Sequence, residues 1–319
     1  MLDFKFSNVL MHFPRSDGPS GFLWKYGLSY VVAGILIGTV SLLIMRPIIE
    51  AYIEMFALMN EGGEAASEEA MNAIFLDRMD SITRSSLLLF VILLPLLLAI
   101  WAVFEASLQR FYIRKEPFRL RLGNDEWRLM AVGLVVGLLY IAATFLALIP
   151  MGIIVGTAAS SGSPTMVVVG IIAGYGSIFA VLLWYAARIS AASALTIRDE
   201  RVSIFESFRV TKGRTLKIMG SLLIIWVIYY IVQTVIYVSG IFTVAAQFGE
   251  LLTSDAAGTV EVMAKLQAPG VVGTIAAFMA VLMFTYGITL IFLGGPGALA
   301  VLNDPDWSFD GTDPADVFS

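Results

Sequence analysis

The sequence predicts an all-α polytopic membrane bundle of six transmembrane helices, and three observations carry that reading. The 319-residue chain is 58% hydrophobic and 14% charged, a balance outside that of soluble domains. Its apolar residues gather into six blocks, each at least the ~20 residues a helix needs to cross ~30 Å of hydrocarbon. Its lysines and arginines crowd alternate connections between those blocks.

The blocks run at about 23–45, 86–108, 129–155, 166–187, 218–238 and 271–293. None carries a charge in its middle, Lys25 standing only at an edge. The run SSLLLFVILLPLLLAIWAVF gains roughly 4 to 8 kcal/mol on insertion, which Pro95 does not cancel. The first block is longer than the ~7 to 15 apolar residues of a signal peptide and no A-x-A site follows, so it reads as an uncleaved anchor. Residues 1–302 thus form the membrane domain. Residues 303–319 form a tail with Asp304, Asp306, Asp310, Asp313 and Asp316 and no cation, a composition expected to stay disordered.

Orientation follows from the cations. The N-terminal arm and the connections after the second and fourth spans hold most of them. The opposite side holds only Arg46, Arg78, Arg84 and Lys265. Both termini are therefore expected in the cytoplasm, and the chain in a bacterial inner membrane. The net charge of −5 hides this asymmetry.

The connection SIFESFRVTKGRTLKIMG, Ser203 to Gly220, is the most basic elbow. Ser203 and Glu206 have capping-box spacing. Ile204, Phe205 and Phe208 fall on one face, and Gly213 suits a left-handed helix end. An interfacial helix on an acidic membrane surface fits this pattern, at about 1 kcal/mol per cation. The headgroup-facing candidates are Arg114, Lys115, Arg119, Arg121 and Arg128 in the earlier connection. In the later one they are Arg198, Arg201, Arg209, Lys212, Arg214 and Lys217. The two connections both open I-R-x-E, at Ile113 and Ile197, which hints at an internal duplication.

Two outer loops carry amphipathic patterns. After Pro47, Ile48, Ile49, Tyr52, Met55, Phe56 and Met59 mark one face; beyond Gly62-Gly63, Met71, Ile74, Phe75, Met79 and Ile82 mark another. Ile241, Val244, Ala245, Phe248, Leu251 and Leu252, then Val262, Met263 and Leu266, repeat the pattern after the fifth span. Such helical hairpins pack on each other or on the bilayer, or offer a surface to other membrane proteins. Gly34/Gly38, Gly133/Gly137, Gly152/Gly156 and Gly170/Gly174 have G-x-x-x-G spacing, and the short turn between the third and fourth spans predicts their tightest hairpin there. Gly294, Gly295, Pro296 and Gly297 are expected to stop the sixth helix; a break there would suit a transporter.

Recognisable chemistry is absent. No cysteine occurs, which excludes thiol catalysis and disulfides. The one histidine, His12, is expected in a solvated or interfacial arm. No P-loop, nucleophile-elbow or H-E-x-x-H pattern occurs. Glu105 and Arg188 lie near the cytoplasmic ends of their spans and are expected to pair as a structural lock. Gln233 and Thr234 are expected to bond between helices.

The segment WYAARISAASALTIRDERVSIFESFRVTKGRTLKIMG resembles poorly characterised bacterial inner-membrane proteins similar to the membrane domain fused to some glycerophosphodiester phosphodiesterases. Arg188, Ser203, Glu206, Thr211, Lys212 and Gly213 carry the likeness over 37 residues. The catalytic barrel is missing, so the resemblance implies a six-span domain without hydrolysis. The expected function is non-enzymatic: binding anionic lipids or scaffolding other membrane proteins, with a permease or channel for a weakly polar or lipid-like substrate as the alternative. No cofactor, metal or nucleic-acid partner is expected.

Overall fold

The computed structural model describes residues 3–61, 68–247 and 268–305, with the side chains of 55–61, 68–72 and 74 left aside. It is all-α, without a strand among the described residues, and six helices are long and apolar enough to cross a membrane. The chain is an integral membrane protein.

Two short helices, α1 (Phe6–Leu10) and α2 (His12–Arg15), precede the spans. The first span belongs to α3 (Phe22–Glu61), the second to α4 (Glu68–Leu88) and α5 (Leu94–Arg114). Next come α6 (Asn124–Ser160) and α7 (Pro164–Ile189), then the short α8 (Ala192–Asp199) and α9 (Glu206–Val210). The last two spans are α10 (Thr215–Gln247) and α11 (Pro269–Leu302).

Proline shapes two of these helices differently. A π-helical turn, Leu89–Leu93, links α4 to α5 just before Pro95. Proline lacks an N–H and its ring crowds the carbonyl four residues back, and a wider turn relieves both problems. In α3 the helix runs through Pro47 without a stop. The helix expected to start anew after Pro47 is therefore a continuation of the first span, and Ile241, Val244 and Ala245 likewise extend α10. The remaining expected outer faces, at Met55, Phe56, Met59, Met71, Ile74, Phe248, Leu251, Leu252, Val262, Met263 and Leu266, lie outside the described side chains. So do residues 306–319 of the tail.

The chain divides into two compact units: residues 1–26, 98–229 and 288–319, and residues 27–97 and 230–287. The second is a lipid-facing array. Leu43 and Phe242 are 70% and 71% exposed, as side chains facing acyl chains must be in a protein viewed without its bilayer. Close approach there uses small residues: a Cβ at Gly34 would touch Met283, one at Gly287 would press on Tyr30, and one at Gly240 on Phe278. Gln233 Nε2 donates to Thr285 Oγ1 at 2.9 Å, the interhelical bond expected of it, whereas Thr234 is exposed. Arg78 pairs with Glu54 at 2.5 Å, tying α4 to α3.

The first unit holds the core. Ala102, Leu108, Tyr112, Leu129, Leu195, Ile197, Ile218, Ile291 and Leu299 are at most 1% exposed. Within it α6 and α7 form the tight hairpin expected from the short turn. Gly170 meets Ala158, and Gly174 meets Met151 and Val155. Gly133 meets Trp101 and Leu98, but Gly137, Gly152 and Gly156 face open space. Spacing alone therefore does not mark a packing glycine.

The expected stop at Gly294–Gly297 is absent, for α11 continues to Leu302 with Pro296 inside it. The small residues serve proximity instead. A Cβ at Gly294 would press on Leu108, one at Gly295 would meet His12 and Tyr112, and one at Gly297 would collide with the Ser190 carbonyl. Tyr112 Oη donates to the Ile291 carbonyl at 2.6 Å, tying α5 to α11.

Candidate functional site

The basic connections of the first unit are where any chemistry of this chain concentrates, and most of their charge is held internally. Arg110, at the end of α5, is among the largest fully buried side chains of the described residues. Its Nη1 lies 2.5 Å from Glu126 Oε1, its Nε 3.6 Å from Glu116, and its Nη2 donates to the Arg119 carbonyl at 3.2 Å. Glu126 does two jobs, because its other oxygen accepts the Gly123 N–H at 2.8 Å and so caps α6. A carboxylate in the first turn suits the helix dipole as well. Removing one partner of so dry a pair leaves the other charged and unpaired, which is strongly destabilising.

Arg114 stands one turn on from Arg110 along the same helix face. It reaches Asp125 at 3.1 Å, Glu200 at 3.2 Å and the Ile197 carbonyl at 2.6 Å. The two I-R-x-E connections therefore dock on each other through this arginine. Left-handed backbone at Lys115 (φ 55) and Glu200 (φ 51) turns the chain out of the two helices. An open cleft of about 370 Å³ lies between them, walled by Arg114, Arg121, Arg128, Asp125, Glu126 and Glu200. Three cations facing three carboxylates give this wall no net charge.

The elbow is similarly engaged. Arg198 pairs with Asp199 at 2.5 Å and with Asp304 at 3.2 Å, and Arg209 reaches the same Asp304 oxygen at 3.4 Å. Arg214 donates to the Ala300 and Asn303 carbonyls at 2.9 and 2.5 Å, satisfying the end of α11, where final carbonyls lack intrahelical donors. Its guanidinium also lies over the Phe4 ring at 5.0 Å. Lys217 donates to the Phe4 carbonyl at 3.1 Å. From Arg198 to Lys217 there are six cations against Asp199, Glu200 and Glu206. Asp304 makes a fourth carboxylate, leaving an excess of two.

What remains outward is a narrower set. Arg119 and Lys212 are exposed, with no carboxylate within 4.0 Å among the described residues. Arg201 stands 3.6 Å from Glu206, while Arg121 stands 3.6 Å from Asp125 and 3.9 Å from Glu116. Arg128 reaches Asp125 at 3.4 Å. Lys115 has its pKa lowered by burial, against the upward pull of Asp17. Beside the outward cations stand exposed apolar side chains: Leu120, Leu122 and Trp127 in one connection, Phe205 and Leu216 in the other.

Three expectations are corrected. Ser203 and Glu206 form no capping box: α9 starts at Glu206 behind Phe205, and the Ser203 N–H is taken by Thr196 Oγ1 at 3.2 Å. The Ser203 hydroxyl is buried without a hydrogen-bond partner among the described residues. The helix that follows is five residues long, Glu206–Val210, and Gly213 adopts the left-handed conformation expected of it (φ 74). Glu105 and Arg188 do not pair, since Glu105 accepts from Gln109 at 2.9 Å while Arg188 lies over Phe208 and reaches Thr215 at 3.4 Å. His12 is neither solvated nor interfacial; it is 3% exposed and stacked on Tyr112 at 5.0 Å.

Arg110, Asp125 and Glu126 were not among the expected site residues, and Asp304 was read only as part of the acidic tail. The signal was present as i, i+4 arginines at the end of one helix and paired acids opening the next. No group of three metal-ligating side chains occurs among the described residues. No family model matches the chain, and no curated protein or solved structure matches it.

Proposed function

We propose that this chain is a non-enzymatic membrane protein whose cytoplasmic rim holds anionic lipid headgroups and steadies other membrane components around it. One observation carries the reading. The outward cations Arg119, Arg121, Arg201 and Lys212 sit beside exposed Leu120, Leu122, Trp127 and Phe205, at the ends of helices long enough to span a bilayer. Tryptophan and basic residues favour the headgroup layer, where an aromatic ring has an apolar body to bury and a cation meets phosphate. The remaining arginines act as internal clamps. Orientation with these connections in the cytoplasm of a bacterial inner membrane belongs to the same proposal, as does the family likeness of residues 184–220. A transport role drew its support from glycine-rich spans and a broken sixth helix, and of these the break is absent, for α11 is continuous.

The test changes only cations without a carboxylate closer than 3.5 Å. Arg119, Arg121, Arg201 and Lys212 are replaced by glutamine, and co-purified lipid is quantified by mass spectrometry. Retained phosphatidylglycerol and cardiolipin should fall at least about five-fold, the equivalent of a single ~1 kcal/mol headgroup contact. Unchanged retention would sink the reading.

A further inference from the structure

The cleft between the two I-R-x-E connections is a charged cavity with donors to spare. Its volume of about 370 Å³ lies within the ~300 to 1,000 Å³ of small-ligand sites. Arg114 is its fixed centre: one terminal nitrogen meets Asp125 at 3.1 Å and the other Glu200 at 3.2 Å. Two carboxylates therefore flank a single guanidinium. Asp125 is also approached by Arg128 at 3.4 Å, Arg110 at 3.5 Å and Arg121 at 3.6 Å, all longer than the ~2.7 to 2.9 Å of a charge-assisted hydrogen bond. Its two oxygens offer about four lone-pair sites, whereas each guanidinium brings five N–H donors. Most donors of Arg121 and Arg128 are thus left without an acceptor among the described residues. On the other side, Glu200 has a side chain 65% exposed and pairs with Arg114 alone among the described residues.

We propose that this cleft binds a phosphate and a primary ammonium carried by one molecule, the phosphate on Arg121 and Arg128 and the ammonium on Glu200. A simple anion would meet carboxylates as well as cations in this wall. A molecule of both signs meets each with its opposite. The phosphate end also lies at the start of α6, whose first-turn N–H groups favour an anion. Phosphoethanolamine is that chemistry, free in solution or as the headgroup of phosphatidylethanolamine. The rim favours the lipid, since exposed Leu120 and Leu122 flank Arg121 and exposed Trp127 precedes Arg128, offering acyl chains an apolar path beside the charges. The membrane source rests on the lipid reading above; the match of paired charges does not. Phosphatidylcholine carries the same phosphate with no N–H to give Glu200, and a site built around such a donor discriminates against the analogue lacking it.

The test titrates the full chain, delipidated in neutral detergent, with phosphatidylethanolamine, phosphatidylcholine or phosphatidylglycerol, and native mass spectrometry counts the bound lipid. Phosphatidylethanolamine should bind about five-fold tighter than phosphatidylcholine, the scale of one exposed ion pair. Glu200→Gln, which keeps an acceptor for Arg114, should erase that preference without lowering phosphatidylglycerol binding. Arg128→Gln should weaken both zwitterionic lipids alike. Millimolar O-phosphoethanolamine should leave the bound lipid in place; displacement by it would assign the cleft to the free compound and overturn the membrane source. Equal binding of phosphatidylethanolamine and phosphatidylcholine to the wild-type chain, a comparison that needs no variant, overturns the proposal. So does a preference that survives Glu200→Gln. Failure of the lipid reading is seen separately, in phosphatidylglycerol and cardiolipin retained unchanged by the Arg119, Arg121, Arg201 and Lys212 variant.

Discussion

His12 shows what burial does to a single side chain. Its ring stacks on Tyr112, its Cβ lies against the small face of Gly295, and neither nitrogen has a hydrogen-bond partner among the described residues. Burial, with the Lys115 cation adding to it, lowers its pKa from 6.5 to about 4. Between those values the unfolded chain takes up a proton that the folded chain refuses. Stability from this group is therefore whole above 6.5 and is lost as pH falls toward 4. The loss at pH ~4.5 amounts to about 2.5 kcal/mol. Denaturant midpoints at pH ~7 and ~4.5 should separate wild type from His12→Phe, which keeps the stacked ring without the titration. Equal acid sensitivity in the two proteins would show that His12 stays neutral in neither state, or in both. Arg110 is buried too, but Glu126 and the Arg119 carbonyl supply its guanidinium with the partners that water would, as buried ions require.

At the scale of elements, α11 is the instructive one. Read as a string, G-G-P-G is a helix terminator; within the unit it is a low-profile face. The Ser190 carbonyl, Leu108 and the pair His12–Tyr112 come so close that any side chain at Gly297, Gly294 or Gly295 would intrude. Gly297→Ala should cost at least about 1 to 3 kcal/mol through overpacking against backbone that cannot rotate away. Gly273→Ala, on the same helix with nothing within 4 Å, should be neutral or slightly stabilising. Unfolding in graded detergent–dodecyl sulfate mixtures measures both, and equal midpoints would mean that the α11 contact is looser than its geometry. The elbow teaches a related lesson. A run with four cations and one carboxylate, Ser203 to Gly220, looks built for a charged surface. Yet Arg209 and Arg214 spend their charge on Asp304 and on the last carbonyls of α11.

For the molecule as a whole, six crossings put the connections 115–123 and 200–214 on the side of the termini and the 161–163 turn on the other. The lack of cysteine makes single-cysteine labelling clean. A membrane-impermeant maleimide added to intact cells should label Ser161→Cys and spare Lys212→Cys until the membrane is opened. Labelling of Lys212→Cys in intact cells would reverse the orientation and remove the lipid rim from the cytoplasm. The number and order of the spans were legible in the sequence, because the transfer of an apolar helix into lipid depends on composition over ~20 residues and needs no partner. Gln233 was legible too, since a lone amide in an apolar span must find another helix. By contrast, the pairing of Arg110 with Glu126, the seat of Asp304, the burial of His12 and the uninterrupted course of α11 were decided by tertiary structure alone. Arg110 and Glu126 meet across 16 residues of chain, Arg198 and Asp304 across 106, Tyr112 and Ile291 across 179, and neither local charge nor local propensity encodes which partner will arrive.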